Sequence, residues 1–241
     1  MKNIIVYSLW GEDPKYWIGA KNNIELVKKH FPNWICRFYI DTNCSSELID
    51  TLISDNVEIV MMNSQSYNYR NISERFNHSG LFWRFIPLSD DDVDIVLSRD
   101  CDSRLTEREV LAIKEWMDSD KDFHIMRDHP YHRVPILAGM WGARRGILKN
   151  INQLLQYWDQ YPNKGHYHAE DQDFLGQIVY PIVIKNSLEH SEFGISYGNQ
   201  IHNFPIKRIN YEFIGDVYDE RDERHPDYWK IIENIEKISY I

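Results

Sequence analysis

The chain has 241 residues and a formal net charge of −10, with 43% hydrophobic and 27% charged residues. This length suits one α/β domain with a substantial core, and the composition excludes a disordered chain. Because an acidic chain repels the phosphate backbone, nucleic acid is excluded as the principal partner. A small anionic ligand stays compatible with this charge if a metal cation or an arginine lies in its site.

The cysteines Cys36, Cys44 and Cys101 form no C-x-x-C pair. Their odd number argues against a disulfide framework and predicts a reducing compartment. The first apolar run is short and turns acidic at once, which is unlike a signal peptide. No apolar run approaches the ~20 residues that span a bilayer. We therefore expect a cytoplasmic protein without a transmembrane segment, and the oligomeric state stays open.

The first sixty residues predict an alternation of strands and helices. Short runs rich in β-branched residues predict three strands, at 3–9, 35–41 and 57–62. Asp13 followed by Pro14 is typical of a helix N-terminus, so a helix is expected to run to about Lys29. A shorter helix is expected over 46–54. This order predicts an α/β fold with a mostly parallel, mixed sheet flanked by helices.

The middle of the chain contains a polar connection and a strand that leads into acidic residues. Residues 64–78 are polar and irregular, which predicts a mobile connection. The apolar run 79–88 predicts a buried helix that ends near Pro87. The run 93–99 predicts a strand that continues directly into Asp100.

The second half of the chain predicts four helices and three extended segments. Thr106 and Glu109 form a capping box that begins the first of these helices. The extended segments are predicted at 122–127, 135–144 and 182–184. The other helices are predicted at 146–160, at 170–180 with Pro181 as its end, and near 227–237. Since no repeat or linker divides the chain, a single domain is expected.

The spacing D-x-D occurs six times, and only Asp100 and Asp102 follow directly on an apolar strand. In open α/β sheets, the carboxyl ends of the strands are where ligands bind. Two carboxylates on one turn can hold a hard cation, which neutralises a diphosphate and makes it a better leaving group. The alternative is a turn in which both aspartates cap backbone N–H groups.

Two charged features could belong to the same site. Arg84 lies in an apolar helix and needs an anionic partner if it is buried, either a phosphate or a carboxylate such as Asp94. The acidic run that contains Asp171 and Gln172 begins a helix, where acids stabilise the helix dipole. Asp171 could also orient a sugar hydroxyl or act as a base.

Glycine and histidine residues add two weaker candidates. Gly139 precedes Trp141 in a segment rich in glycine, which allows a backbone to approach a ligand closely. Trp141 could stack on a sugar ring, or it could be a core residue at a glycine kink. His190 follows the last predicted strand and could complete a metal shell begun by two aspartates. The other histidines do not have the spacing of a zinc site.

Seven segments form an ordered pattern along the chain. They are YSLWG at 7–11 with Tyr16 and 19–20, WICRFY at 34–39, LFWRF at 81–85, SRDCDSR at 98–104, MRDHP at 126–130, AGMWGAR at 138–144 and DQDFL at 171–175. Together they resemble small GT-A fold glycosyltransferases that use nucleotide sugars, including enzymes encoded by large DNA viruses. The resemblance covers residues 4–217, most of the chain.

The resemblance implies transfer of a sugar from a UDP-sugar donor to a glycan or other hydroxyl acceptor, with Mn²⁺ or Mg²⁺ as cofactor. It implies one GT-A domain over 1–241, with a nucleotide-binding half at about 1–104 and a donor-sugar and acceptor half at about 105–241. The implied site residues comprise a metal set (Asp100, Asp102 and His190, with His202 as the alternative histidine), a donor set (Ser8, Leu9, Trp10, Arg84, Asp100, Gly139 and Trp141) and a catalytic pair (Asp171 and Gln172).

Two other classes of function are compatible with the residues alone. A metal-dependent phosphodiesterase or nucleotide-sugar hydrolase would also cluster acids around a cation, although it usually needs more ligands at strand ends. A non-catalytic module that binds nucleotide sugars is the other. No spacing in the sequence decides the sugar, the acceptor, or whether the anomeric configuration is inverted or retained.

Overall fold

A computed structural model describes residues 1–62, 80–161 and 169–238. The described residues form an eight-stranded sheet in the order β3-β2-β1-β4-β6-β5-β7-β8. The strands are β1 (Lys2–Leu9), β2 (Ile35–Asp41), β3 (Val57–Met62), β4 (Val93–Ser98), β5 (Phe123–Arg127), β6 (Trp141–Arg144), β7 (Ser187–Ser191) and β8 (Ile201–His202).

Helices cover both faces of this sheet. The longer ones are α1 (Pro14–His30), α4 (Glu107–Asp118), α5 (Ile151–Asp159) and α8 (Pro226–Ile238). The shorter ones are α2 (Ser46–Asp50), α3 (Gly80–Trp83), α6 (Glu170–Phe174) and α7 (Tyr180–Val183), with 3₁₀ turns at Ile86–Ser89 and Ile184–Asn186 and a π-helical turn at Leu175–Val179. No helix in the described parts of the chain is long and apolar enough to cross a membrane.

The sheet is mixed because one strand runs against its neighbours. β1 pairs in parallel with β2 and β4, whereas β6 is antiparallel to both β4 and β5. Val6 in β1 lies opposite Ser98 in β4, so the loops after these two strands leave the sheet at the same edge. Strands buried on both faces read as continuous apolar runs, which is why β1, β2 and β4 were recognisable in the sequence.

The first part of the chain folds as its sequence predicts. The strands at 3–9, 35–41 and 57–62 are confirmed within a residue, and the predicted helix is α1. The side chain of Asp13 accepts a hydrogen bond from the backbone N–H of Lys15 and so caps α1, with Pro14 in its first turn. The predicted mobile connection at 64–78 lies outside the described residues.

Several later elements differ from their predictions. The apolar run 79–88 is divided into α3 and a 3₁₀ turn that holds Pro87. Of the extended segment 135–144, only β6 is a strand. Pro181 does not end its helix, because it occupies the first turn of α7, where a missing N–H breaks no intrahelical bond. Residues 182–184 are therefore helical, and the last long strand is β7.

The capping box at the start of α4 forms only in part. The Thr106 hydroxyl accepts a hydrogen bond from the N–H of Glu109 at 3.2 Å, as expected. The carboxylate of Glu109 does not return to the cap, because it pairs with the buried guanidinium of Arg99. Arg99 also donates to the carbonyl of Trp141 at 2.9 Å, which ties β4 to β6 beside the strand end that carries Asp100.

Candidate active site

A cavity of about 350 Å³ opens at the sheet edge where β1 and β4 end. Parallel strands present their carboxyl ends at one edge, so residues far apart in sequence meet there. The cavity is lined by Ser8, Leu9, Trp10, Tyr16, Leu81, Arg84, Asp100, Cys101, Asp102 and Val217. The structure thus brings the predicted residues of the first loop together with Arg84 and the D-x-D pair.

Arg84 pairs with Asp100 inside this cavity. Its Nη1 donates to Oδ1 of Asp100 at 2.7 Å, and the arginine is only 5% exposed. Burial by itself lowers the pKa of Arg84, but the charges of Asp100 and Asp171 outweigh it and raise the pKa. The carboxylate partner predicted as an alternative to phosphate is therefore Asp100 rather than Asp94.

Two polar groups of the cavity lining lack partners. Among the described residues, the hydroxyl of Ser8 and Nε of Arg84 are buried without a hydrogen-bond partner. A buried polar group without a partner is destabilising by about 1–3 kcal/mol, so such groups are uncommon unless a ligand or water satisfies them. Both residues line the cavity, which favours a polar ligand there.

Asp102 occupies the deeper side of the D-x-D turn. Its Oδ2 lies 3.4 Å from Nζ of Lys15, which belongs to the first turn of α1. Burial, and then the neighbouring charge of Asp100, raise the pKa of Asp102 against the opposing effect of Lys15. The turn is anchored by its backbone, since the N–H of Tyr218 donates to the carbonyl of Asp102 at 2.8 Å.

Gly139 lies directly against Asp100. A Cβ built on Gly139 would be 2.1 Å from Oδ2 of Asp100, closer than any real contact. The segment that holds the glycine is fixed from β4, because the hydroxyl of Ser98 donates to the carbonyl of Ala138 at 2.8 Å. Gly139 therefore acts by leaving room for the carboxylate, a more specific role than the close backbone approach that its glycine-rich segment predicts.

We expect Gly139→Ala to reduce ligand binding at the carboxylate pair by about tenfold and to lower the free energy of unfolding, because the buried Arg84 loses its carboxylate partner. Asp100 is flexible and its side chain is 46% exposed, so it can swing away from the new methyl group and lose its bond to Arg84. Calorimetric titration with Mn²⁺ and UDP measures this loss. Gly176→Ala is the matched control, because a Cβ there would meet only Pro135 at an ordinary 3.6 Å. Equal binding by both variants and the wild type would contradict the assignment of Gly139.

Asp171 lies close enough to this cluster to share its electrostatics. It is 3% exposed at the start of α6, and its Oδ1 accepts a hydrogen bond from the N–H of Gln172 at 2.9 Å. Burial raises the pKa of Asp171 to about 6, with Arg84 opposing that effect and Asp100 adding to it. A carboxyl group whose pKa is near neutrality suits general acid–base chemistry.

Asp171 and Gln172 are not among the described residues that line the cavity, and two further candidates, Trp141 and His190, are buried in the core. Trp141 is fully buried and stacks between Phe85 and Phe123, with ring centroids 5.7 Å from each. It is a core residue, so the expected contact of its ring with a donor sugar is wrong. The glycines beside it allow tight packing, since a Cβ on Gly142 would meet Leu97 at 2.7 Å.

His190 is the second correction, and it removes the predicted third metal ligand. The imidazole is fully buried in β7, where Nδ1 is 2.8 Å from Nε2 of His124. Its other nitrogen is 3.5 Å from Glu115 in α4, and the ring of the alternative ligand, His202, lies beside it. Both histidines therefore belong to a cluster beneath α4. The error arose because β7 contains His190, whereas the sequence placed it after the last strand.

The structure also adds residues that the sequence analysis missed. Tyr16 comes from α1, and Leu81 from α3, and both line the cavity. Val217 arrives from a loop more than a hundred residues after the D-x-D turn, held there by the adjacent Tyr218. Tyr16 and Leu81 lie inside the segments that carry the family resemblance, which is the signal that could have found them. Val217 has no such signal.

The residues present fit a divalent cation only in part. Within residues 1–62, 80–161 and 169–238, no group of three or more His, Cys, Asp or Glu side chains could hold a metal ion. Asp100 and Asp102 nevertheless offer two hard oxygen ligands on one turn, and their mutual repulsion favours a cation between them. A cation there would need its remaining ligands from water or from the phosphates of a bound nucleotide.

No family model and no curated protein matches the chain. Among solved structures, it is similar to a glycosyltransferase involved in glycosylation of the major capsid of PBCV-1, with a TM-score of 0.50, 12% identity, and coverage of 79% of this chain and 82% of that one. The galactosyltransferase LgtC, in complex with donor and acceptor sugar analogues, gives 0.46 at 16% identity, covering 78% and 73%. A 4-diphosphocytidyl-2C-methyl-D-erythritol synthase from Anaerococcus prevotii gives 0.49 at 13%, covering 83% and 93%.

The likeness to the viral enzyme concerns the fold, since only 12% of aligned residues are identical. It extends over most of both chains and matches the mixed sheet flanked by helices. The chain therefore has the fold of GT-A glycosyltransferases, as the seven sequence segments predicted. The two weaker likenesses add nothing to this conclusion.

Proposed function

We propose that the chain is a metal-dependent glycosyltransferase that moves a sugar from a UDP-sugar to a hydroxyl group of a glycan or other acceptor. One observation carries the proposal: the cavity at the carboxyl edge of a GT-A sheet contains a carboxylate pair beside a buried arginine. This arrangement suits a diphosphate, because it combines a cation site with a guanidinium whose Nε has no partner among the described residues.

The chemistry follows from where charge develops. When the bond from the anomeric carbon to phosphate breaks, negative charge collects on the diphosphate and positive charge on the sugar. Mn²⁺ or Mg²⁺ held by Asp100 and Asp102 would neutralise the departing diphosphate. Arg84, whose Nη1 stays on Asp100, would place its positive charge beside the same phosphates. Asp171, as a carboxylate, stabilises the positive sugar or accepts the proton of the attacking hydroxyl, with Gln172 beside it.

The first loop supports a nucleotide at the other end of the cavity. Ser8 offers a hydroxyl without a partner in the described chain, and Trp10 is 36% exposed at the cavity wall. Trp10 packs edge-to-face on Trp83 with ring centroids 6.4 Å apart, and Gly80 leaves room for its indole. An indole that is fixed on one side and open on the other can stack on a base or ribose. This supports the assignment of Ser8, Leu9 and Trp10 to donor binding.

The rival hydrolase has less support. A two-metal phosphodiesterase needs a larger set of clustered acids and histidines, and the described parts of the chain contain no group of three that could hold a metal.

The non-catalytic binding module differs from the proposed enzyme only in turnover. A pure binder would leave every UDP-sugar intact, whereas a transferase hydrolyses its own donor slowly when no acceptor is present.

The test is a calorimetric panel of UDP and several UDP-sugars with the full chain, each with Mn²⁺ and with EDTA. Tight binding of UDP and of one UDP-sugar with Mn²⁺, lost in EDTA, is the expected result. The same samples are then assayed for release of UDP without acceptor. GDP and ADP serve as controls for the base. Absence of binding by UDP and all UDP-sugars in the presence of Mn²⁺ would overturn the proposal.

A further inference from the structure

Two cations of the chain approach the carboxylate pair, and they differ in kind. Arg84 is 5% exposed and holds Asp100 at 2.7 Å from the turn after α3, between the core residues Trp83 and Phe85. Lys15 approaches Asp102 at the longer distance of 3.4 Å, and its side chain is 28% exposed. Its ammonium also lies 4.4 Å from the centre of the Tyr16 ring, and that ring lines the cavity. Arg84 is therefore a fixed cation, whereas Lys15 is a long, flexible one that approaches two residues of the cavity lining, Asp102 and Tyr16.

The carboxylate of Asp102 cannot pair fully with the ammonium of Lys15 and bind a divalent cation at the same time. A metal ion that takes the Asp102 carboxylate replaces the weaker charge of the ammonium and repels it at short range. The four-carbon stem of Lys15 lets the ammonium move several ångström while its backbone stays in the capped first turn of α1. An anion in the cavity, beside Tyr16, offers the displaced ammonium a new partner.

We propose that Lys15 is a phosphate-binding residue that neutralises Asp102 in the empty site and passes to the diphosphate of the donor when the metal ion takes Asp102. This inference rests on the proposed function and adds to it a residue and an order of events. Lys15 then opposes metal binding in the absence of a nucleotide and favours metal binding when a nucleotide is bound. The two ligands are thereby coupled, and each strengthens the binding of the other.

The test compares the wild type with Lys15→Met and Lys15→Arg by calorimetry with MnCl₂ alone, with UDP alone and with both. For Lys15→Met we expect Mn²⁺ alone to bind roughly fivefold more tightly, because its competitor is gone. We expect UDP in saturating Mn²⁺ to bind roughly tenfold more weakly, because a charge-assisted hydrogen bond is lost. Lys15→Arg keeps the charge and should restore most of the UDP affinity.

Lys21→Met is the matched control, since Lys21 is an exposed lysine of the same helix. It should bind both ligands like the wild type, and thermal unfolding should show that all variants fold. A merely structural Lys15 would leave Mn²⁺ affinity unchanged or weakened in Lys15→Met, and that result would overturn the inference. If the wild type itself binds neither Mn²⁺ nor UDP, the proposed function fails instead, so the two failures are distinguishable.

Discussion

Asp102→Ala is expected to abolish metal-dependent donor binding and to lower kcat/KM by about 10³-fold or more. The variant removes one of two carboxylates that would hold the cation, and the described chain offers no third ligand to replace it. Calorimetry should show the same weak UDP binding with Mn²⁺ as with EDTA. Transfer or donor hydrolysis, measured as UDP release, should fall to background.

The fold should survive this change. The bond that anchors the turn joins the N–H of Tyr218 to the backbone carbonyl of residue 102, so it does not depend on the side chain. Burial and the neighbouring Asp100 raise the pKa of Asp102, because the folded structure disfavours its charged form. Thermal stability should therefore be unchanged or increased.

Asp120→Asn is the control for this experiment. Asp120 belongs to another D-x-D spacing, at 118 and 120, and its side chain is 91% exposed. We expect its metal and UDP binding to match the wild type. If Asp102→Ala also kept full Mn²⁺-dependent binding, the D-x-D pair after β4 would not be the metal site.

Asp171→Asn is expected to lower kcat by about 10²- to 10⁴-fold while leaving UDP binding nearly unchanged. The amide keeps the size of the side chain but can neither accept a proton nor stabilise a positively charged sugar. Arg84 keeps Asp100 as its partner, so the diphosphate end of the site stays intact. Asp173→Asn, on the same helix, is the control and should retain activity. A variant of Asp171 with normal turnover would remove Asp171 from the mechanism.

The pH dependence of the wild type should report the same group. Since the carboxylate is the active form, activity should rise with pH through the pKa of Asp171, which burial raises to about 6. A cation on the neighbouring Asp100 would shift that rise to lower pH, because positive charge favours the carboxylate. A profile of kcat/KM over roughly pH 4.5 to 8, a range that brackets this pKa, measures the rise. Asp171→Asn should show no such limb in its residual activity.

The contribution of Asp171 to the stability of the fold should change with pH in the direction opposite to the change in activity. The pKa of Asp171 is higher in the folded protein than its ordinary value of 3.8, so the folded state binds more protons between about pH 4 and pH 6. The contribution of Asp171 to the free energy of unfolding therefore falls as pH rises through this window. The stability of Asp171→Asn relative to the wild type should accordingly increase from pH 4 to pH 7, as denaturant titrations at each pH can measure.

The sequence by itself determined the layers of the fold and the sheet edge at which the candidate site lies. Apolar runs identified β1, β2 and β4, because strands covered on both faces carry a local, continuous signal, and β-branched residues identified the edge strand β3. The position of Asp100 directly after an apolar run predicted that the D-x-D turn lies at the carboxyl edge of the sheet, where it lines the cavity. The family resemblance indicated the GT-A fold, which the structural comparison confirms.

Only the tertiary structure decided which side chains face that edge. Trp141 and His190 were reasonable candidates by residue type, but burial in the core and pairing with His124 remove them from the cavity. Val217 reaches the site because the adjacent Tyr218 donates a backbone hydrogen bond to the carbonyl of Asp102. Lys15 reaches Asp102 from the capped first turn of α1. The physical reason is the distance along the chain over which each kind of interaction acts. Propensity and periodicity act over a few residues, whereas a cavity is formed by segments that meet from distant parts of the chain.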